Sequence, residues 1–172
     1  NFVKEEDLRL DPTFQFGVVS IKKIAAKGLR NVELIPFDKN DPYVNLKFSD
    51  WEAETPHKNG AGADCVWKDM FHEIEVYPET LRDEKLKLEC WDKNVGKPQL
   101  IGTAELSLLR AAVPENQGTE IPLPVQLMGP KGEEAGTLTV YARTGVPKDT
   151  NTLPLDFSKG VLHVRTIAGL GL

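Results

Sequence analysis

Histidine and cysteine are the residue types here best suited to proton transfer, nucleophilic attack or soft-metal binding, and their placement supports none of these. His57, His72 and His163 lie far apart in sequence, and no His-Glu-x-x-His pair sets two imidazoles on one helix face. His72 falls on the apolar side of an alternating stretch, where a partly buried, satisfied imidazole is expected. Cys65 and Cys90 lack the neighbours that would activate a nucleophile. Neither a Gly-x-Ser-x-Gly elbow nor a Walker loop occurs, and Gly60-Ala61-Gly62 is too short to cradle a phosphate. Trp67 and Trp91 sit at strand positions and read as core or sheet-face packing. The expectation is a chain that does no covalent chemistry of its own, although a parent enzyme could carry such a module.

Composition narrows the class. The chain has 172 residues, enough for one domain with flanking segments and a real core. Apolar residues make up 40% and charged residues 27%, which opposes global disorder. A formal charge of -5 opposes a general nucleic-acid binder and opposes docking on anionic lipid by bulk charge alone. No apolar run reaches the roughly 18 residues of a membrane span, and no signal peptide is visible. The chain begins at Asn1 without a methionine, so upstream residues are expected. Two cysteines and the lack of an Asn-x-Ser/Thr sequon point to a reducing, cytoplasmic setting.

The elements that must position any site follow from periodicity. Lys85-Leu86-Lys87-Leu88-Glu89-Cys90 alternates charged and apolar residues, which describes a strand with one dry and one wet face. Val44, Leu46 and Phe48 alternate with Tyr43, Asn45 and Lys47. His72, Ile74 and Val76 alternate with Glu73, Glu75 and Tyr77, and Leu138, Val140 and Ala142 with Thr137, Thr139 and Tyr141. Val18–Ile24, Trp51–Thr55, Ile101–Leu106 and Ile121–Leu127 are further strand candidates. Asn59-Gly60-Ala61-Gly62, Asn94-Val95-Gly96-Lys97-Pro98 and Gly129-Pro130-Lys131-Gly132 supply turns between them. Only Leu106–Ala112 suggests a helix, of one or two turns. Many short strands with one-sided patterning predict an all-β, two-sheet sandwich.

An internal repeat adds to this. Residues 16–29 read FGVVSIKKIAAKGL and residues 159–172 read KGVLHVRTIAGLGL, with six of fourteen positions identical at an offset of 160 − 17 = 143 residues. Two strands can resemble each other by chance; the preferred reading is a tandem array. On it, residues 1–15 are an N-terminal extension, 16–145 one complete unit, 146–158 a linker, and 159–172 the first strand of a following, truncated unit.

Three segments resemble the C2 domain family. Leu29 to Phe48, containing Asp41-Pro42-Tyr43-Val44, is similar to the family's first ligand loop and following strand. Val66-Trp67-Lys68-Asp69-Met70-Phe71 resembles its Pro-Val-Trp-Asn-Glu-x-Phe stretch, with Cys65 in place of the proline. Cys90-Trp91-Asp92-Lys93-Asn94, with Leu100-Ile101-Gly102-Thr103-Ala104-Glu105-Leu106, is similar to the third loop and its strand. The segments occur in family order between Gly17 and Arg143. The resemblance implies an eight-stranded antiparallel β-sandwich with Greek-key connections. A first strand beginning at Val18 and a closing strand over Gly136–Arg143 suggest the permuted, type II topology.

The resemblance also implies a calcium end. Calcium takes six to eight oxygen ligands, and carboxylates about 4 Å apart repel by roughly 4 kcal/mol without a cation between them. Against the commonest family template this chain has Ile35, Asn94 and Gln99 where acids are usual, which would leave no calcium site. The C2 domains of cytosolic phospholipases give a second template, met by Asp38, Asp41, Asp92 and Asn94, with Asp64 near its loop-two asparagine and the Lys93 carbonyl as a further oxygen; its additional loop-one aspartate and later loop-three acid are missing here. On that template Ca2+ is the implied cofactor. The plainer alternative makes Asp38 and Asp64 ordinary loop residues and Asp41 a turn aspartate before proline.

Loop tips complete the expectation. Leu34-Ile35-Pro36-Phe37 is an apolar run in the first loop, and Val95 sits in the third. Leu34 is expected to turn inward. Ile35, Phe37 and Val95, with Lys39, Lys93 and Lys97 at the rim, are the candidate contacts to an anionic phospholipid membrane. Burying about 150 Å² of such surface contributes roughly 4 kcal/mol, so a second signal is needed. Three functions stay open: a membrane-docking module of a membrane tethering or vesicle-traffic protein, a calcium-independent protein-interaction domain, and a regulatory domain of a lipid-modifying enzyme. The tandem repeat disfavours the third. The module is expected to be monomeric, cytoplasmic and peripheral on membranes.

Overall fold

The computed structural model describes residues 5–33, 38–94 and 96–145. The expected linker and second repeat strand lie outside these residues.

The alternating stretches become strands, and every pairing is antiparallel. In chain order they are β1 (Gly17–Lys27), β2 (Pro42–Phe48), β3 (Trp51–Glu54), β4 (Cys65–Trp67), β5 (His72–Val76), β6 (Leu86–Asp92), β7 (Gln99–Leu106), β8 (Glu120–Met128) and β9 (Glu134–Gly145). Their order across the sheet is β3-β2-β6-β7-β8-β9-β1-β4, with β5 also on β1. β7 and β8 are paired only through Thr103 and Met128, so the sheet curls there into two halves. Inward residues from both halves share one core, including Val19, Ile21, Leu46, Leu88, Ile101, Leu138 and Val140. Gly102 sits at this seam, where a Cβ would lie 2.8 Å from the Ala135 Cβ and 2.9 Å from the Met128 carbonyl oxygen.

Nine strand segments amount to eight sandwich strands, because β4 and β5 are two parts of one strand against β1. Ile24 pairs with Trp67 and Ile21 with His72, so four residues of one strand oppose two of the other. The surplus is a bulge at 68–71, with Asp69 at φ 57°. β1 answers with its own register shift between Ile21 and Lys23. The chain crosses between halves from β1 to β2, β3 to β4, β5 to β6 and β7 to β8.

Two short helices cover the end away from the ligand loops. α2 (Leu109–Ala112) falls within the expected stretch, whereas no periodicity marks α1 (Pro78–Asp83). Pro78 opens α1, where its missing N–H costs nothing, and the Thr80 hydroxyl accepts from the Tyr77 N–H at 2.9 Å. Leu81 then buries into the core. Trp67 is also core, its Nε1–H donating to the Pro56 carbonyl at 2.7 Å; Trp91 is half-buried on the sheet face, 3.1 Å from Glu89. His72 is half-buried edge-on to Trp51, ring centroids 5.8 Å apart, and burial lowers its pKa below 6.5. Burial raises the thiol pKa of Cys65 to about 11 and of Cys90 to about 12, which keeps both protonated and unreactive.

Candidate functional site

The strand ends gather three connections at one pole. β1 and β6 finish there, and β2, β4 and β7 begin there, so the loops before β2, β4 and β7 converge. β2 and β6 stay paired right up to this pole, the first residue of β2, Pro42, opposite the last of β6, Asp92. That register places Asp41 and Asp92 side by side. The Asp41 N–H donates to Asp92 Oδ1 at 2.5 Å, and the Lys93 N–H donates to the Asp41 carbonyl at 3.1 Å. Asp92 is fully buried, and its other oxygen accepts from Asn94 Nδ2 at 3.0 Å. The β3–β4 connection closes from the other side, its Gly60 N–H donating to Asp41 Oδ1 at 2.5 Å.

The first loop is held by residues that sequence reading did not single out. Asn40 is buried; its side chain accepts from the Val32 N–H at 3.0 Å and donates to the Arg30 carbonyl at 2.9 Å. Arg30 donates to the carbonyls of Leu100 and Ile101 at 3.0 and 3.2 Å and pairs with Glu133 at 3.1 Å. Gly136, at φ 111°, lets β9 approach the start of this loop: a Cβ there would lie 2.8 Å from the Gly28 carbonyl oxygen.

Glu33 is the acid that sequence reading missed. It is half-buried, and its pKa is raised, first by desolvation, then by its hydrogen bond with Asp92 and the negative charges of Asp92, Asp38 and Asp41. Four carboxylates therefore share one electrostatic neighbourhood. No template spacing flagged Glu33; its sequence position beside the first loop was the only available signal.

The other candidates are distributed around this group. Asp38 is exposed, its Oδ1 accepting from the Lys39 N–H at 2.9 Å. Asp64 is exposed and its Oδ1 accepts from the Gly28 N–H at 2.7 Å, which ties the β3–β4 connection to the end of β1. Lys39 and Lys97 are exposed at the rim. The Lys93 side chain reaches within 3.5 Å of His57. Ile35, Phe37 and Val95 lie outside the described residues. Among those described, no three His, Cys, Asp or Glu side chains converge as a set able to hold a metal ion. The donor chemistry of Glu33, Asp38, Asp41 and Asp92 fits a hard cation; their oxygens are turned, for Asp38, Asp41 and Asp92, onto main-chain N–H groups. No helix among the described residues is long and apolar enough to cross a membrane.

A family model for the C2 domain matches residues 17–123, more than half of the chain. Solved structures with the same fold include a C2 domain, the one designated A, of plant Extended Synaptotagmin 1. It matches at 22% identity and TM-score 0.61, covering 77% of this chain and 97% of that one. Human GIVD cytosolic phospholipase A2 matches at 17% identity and TM-score 0.56 over 81% of this chain, but over only 17% of its own. The calcium-bound pair of C2 domains, A and B, of Extended-Synaptotagmin 2 matches at 17% identity and TM-score 0.56, over 78% of this chain and 46% of that one. Comparison with curated protein sequences returned no match.

Proposed function

Because the chain belongs to the C2 domain family, we propose that it is a peripheral membrane-docking module that binds anionic phospholipid, with calcium held at the acidic loop end. The observation that carries this reading is the strand register that sets Asp41 beside Asp92 at the loop end, the Asp41 N–H on Asp92 Oδ1; the negative charges of Asp92, Asp38 and Asp41 also help to raise the Glu33 pKa. Uncompensated negative charges at one pole disfavour one another, and a divalent cation relieves that cost. Ca2+ bound there supplies positive charge shared between the carboxylates and lipid phosphates. Asp41 and Asp92 are the ligands on which the site depends. Asp38, Glu33, Asn94 and the Lys93 carbonyl are the further oxygens, and Asp64 positions the neighbouring loop through Gly28. Exposed Lys39 and Lys97 add attraction at the rim. Ile35, Phe37 and Val95 are proposed as the apolar tips. The calcium-bound state of Extended-Synaptotagmin 2, which has this fold, is consistent with the reading.

Pairing of β1 with β9, the last strand among the described residues, supports the permuted topology. The repeat at 159–172 supports a multi-C2 parent, for which cytoplasmic membrane tethering or vesicle traffic is proposed, with this unit monomeric. A second reading, a calcium-independent protein-interaction domain, is favoured by the engagement of Asp41, Asp64 and Asp92 with main-chain donors.

Liposome co-sedimentation separates the two. Binding to phosphatidylserine vesicles that appears with calcium, vanishes in chelator and is lost in the Asp41→Asn, Asp92→Asn double variant, which keeps an acceptor oxygen at each position, is the expected result. A melting temperature unmoved by calcium at millimolar levels, with vesicle binding indifferent to calcium, overturns the calcium reading, since a ligand of the native state must raise it.

A further inference from the structure

The two halves of the sheet part between β7 and β8, and the sequence of β8 explains why. Residues 120–126 of β8 run in register with β9, Pro122 opposite Tyr141 and Pro124 opposite Thr139. In an antiparallel ladder successive residues bond to opposite sides, and only residues with an N–H keep the ladder closed. Ile121, Leu123 and Val125 therefore turn their main-chain groups to β9, and Pro122 and Pro124 turn theirs towards β7. That edge lacks two donors, and β7 and β8 pair only through Thr103 and Met128. Beyond that pair, towards the end of the sandwich away from the ligand loops, a groove of about 550 Å³ lies open between the strands. Leu106 of β7 and Leu123 and Val125 of β8 line it together with the two prolines, and Leu8 lines it from the N-terminal stretch.

That stretch is fastened to the sandwich although the first strand starts only at Gly17. Phe14 is buried with its ring on Gly17, where a Cβ would lie 2.9 Å from the ring Cζ. Asp11 turns the chain, its carbonyl accepting from the Phe14 N–H at 2.9 Å and its Oδ1 from the Thr13 N–H at 2.7 Å. Leu8 and Leu10 are half-buried against the core. Glu6 shares a neighbouring groove with Arg82 and Lys85, so charge favours the same path.

We propose that the open seam is the docking site of this chain's own first residues, with Phe2 and Val3 seated on Leu106, Leu123 and Val125. Continuity names the occupant. Leu8 already stands in the groove, and the six residues back to Phe2 span at most about 22 Å of chain. The 3-10 turn at Glu5–Asp7 shortens that reach further. Chemistry agrees with position. Phe2 and Val3 are the apolar residues among the first seven, and Lys4 and three acids follow them. An apolar floor gains from being covered by such a pair, while Glu6 stays with Arg82 and Lys85. The stretch before Gly17 is then a strap of this unit, wedged where two prolines keep the sheet from closing. Side chains cover the seam in place of a hydrogen-bonded ladder. The inference does not depend on calcium, on lipid or on the loop end.

Cysteine pairing in the whole chain tests it. Phe2→Cys combined with Thr139→Cys, a position that lines the same groove, should close an intramolecular disulfide in most molecules under mild oxidation. Phe2→Cys combined with Lys131→Cys, in the exposed turn at the far end of β8, should not. Cys65 is half-buried and Cys90 buried, so neither competes. The Phe2→Ser, Val3→Ser variant should melt roughly 3–8 °C lower, with hydrogen exchange about tenfold faster at Leu106 and Leu123. Equal disulfide yield at Thr139 and Lys131, or unchanged melting in the serine variant, overturns the assignment. Disulfide-linked pairs of chains in place of the internal bond overturn it too, and point to a second copy as the occupant.

Discussion

Asp92 is wholly buried, yet both its oxygens are satisfied, by the Asp41 N–H and by Asn94. Removing it would leave those donors unpaired, so its role in holding the loop end and its role as a ligand cannot be separated by an alanine alone. Glu33 is the better probe. In calcium-free buffer Glu33→Gln should melt above the unaltered chain, by no more than a few degrees, because one of four crowded carboxylates is gone. The same variant should show a smaller upward shift on adding calcium; scanning calorimetry with and without the ion checks both. His72 gives a pH test. Burial lowers its pKa below 6.5, so the unfolded chain takes up the proton first. Stability tied to this imidazole is whole above about pH 6.5 and falls as pH drops through the interval below it. Melting temperatures across that interval should fall in the unaltered chain and flatten in His72→Gln. Asp41 and Asp92 were legible because both stand in motifs at a strand end. Glu33 and Asn40 were not, since their significance comes from partners that only the folded loop brings near.

Elements show why local patterning succeeded in most places and stopped short in a few. Alternation located β2, β5, β6 and β9 because each has one face in the core and one in water. It could not place Lys22 and Lys23 on the same side, since the register shift in β1 answers a bulge in a strand more than forty residues later. α1 escaped notice for a different reason. Pro78 and Glu79 are an ordinary helix opening, but six residues are too few to carry a periodic signal. Gly136 is the element-scale test. Its φ of 111° and the 2.8 Å approach of a Cβ to the Gly28 carbonyl oxygen leave no room for a side chain. Gly136→Ala should cost about 2–4 kcal/mol and lower the melting temperature by roughly 5–15 °C. Hydrogen exchange in the first loop should quicken at the same time, because β9 and that loop share the contact.

For the whole molecule, the division of the chain is the open test. The described core is drawn from residues between Phe14 and Ala142, and the expected unit ends at residue 145. A chain cut after Gly145 should melt in one cooperative transition within a few degrees of the full chain; loss of that transition would show that the remaining residues belong to the same fold. The all-β class, most of the strands and the absence of enzyme motifs were determined by the sequence itself. Each of these is written in period, composition or a short motif, which are local properties. The joining of Glu33 to the acidic group, the turning of Asp64 onto Gly28 and the placing of Leu8 at the seam between β7 and β8 were decided only by tertiary structure. Each depends on distances between residues far apart in the chain, and a one-dimensional pattern does not contain them.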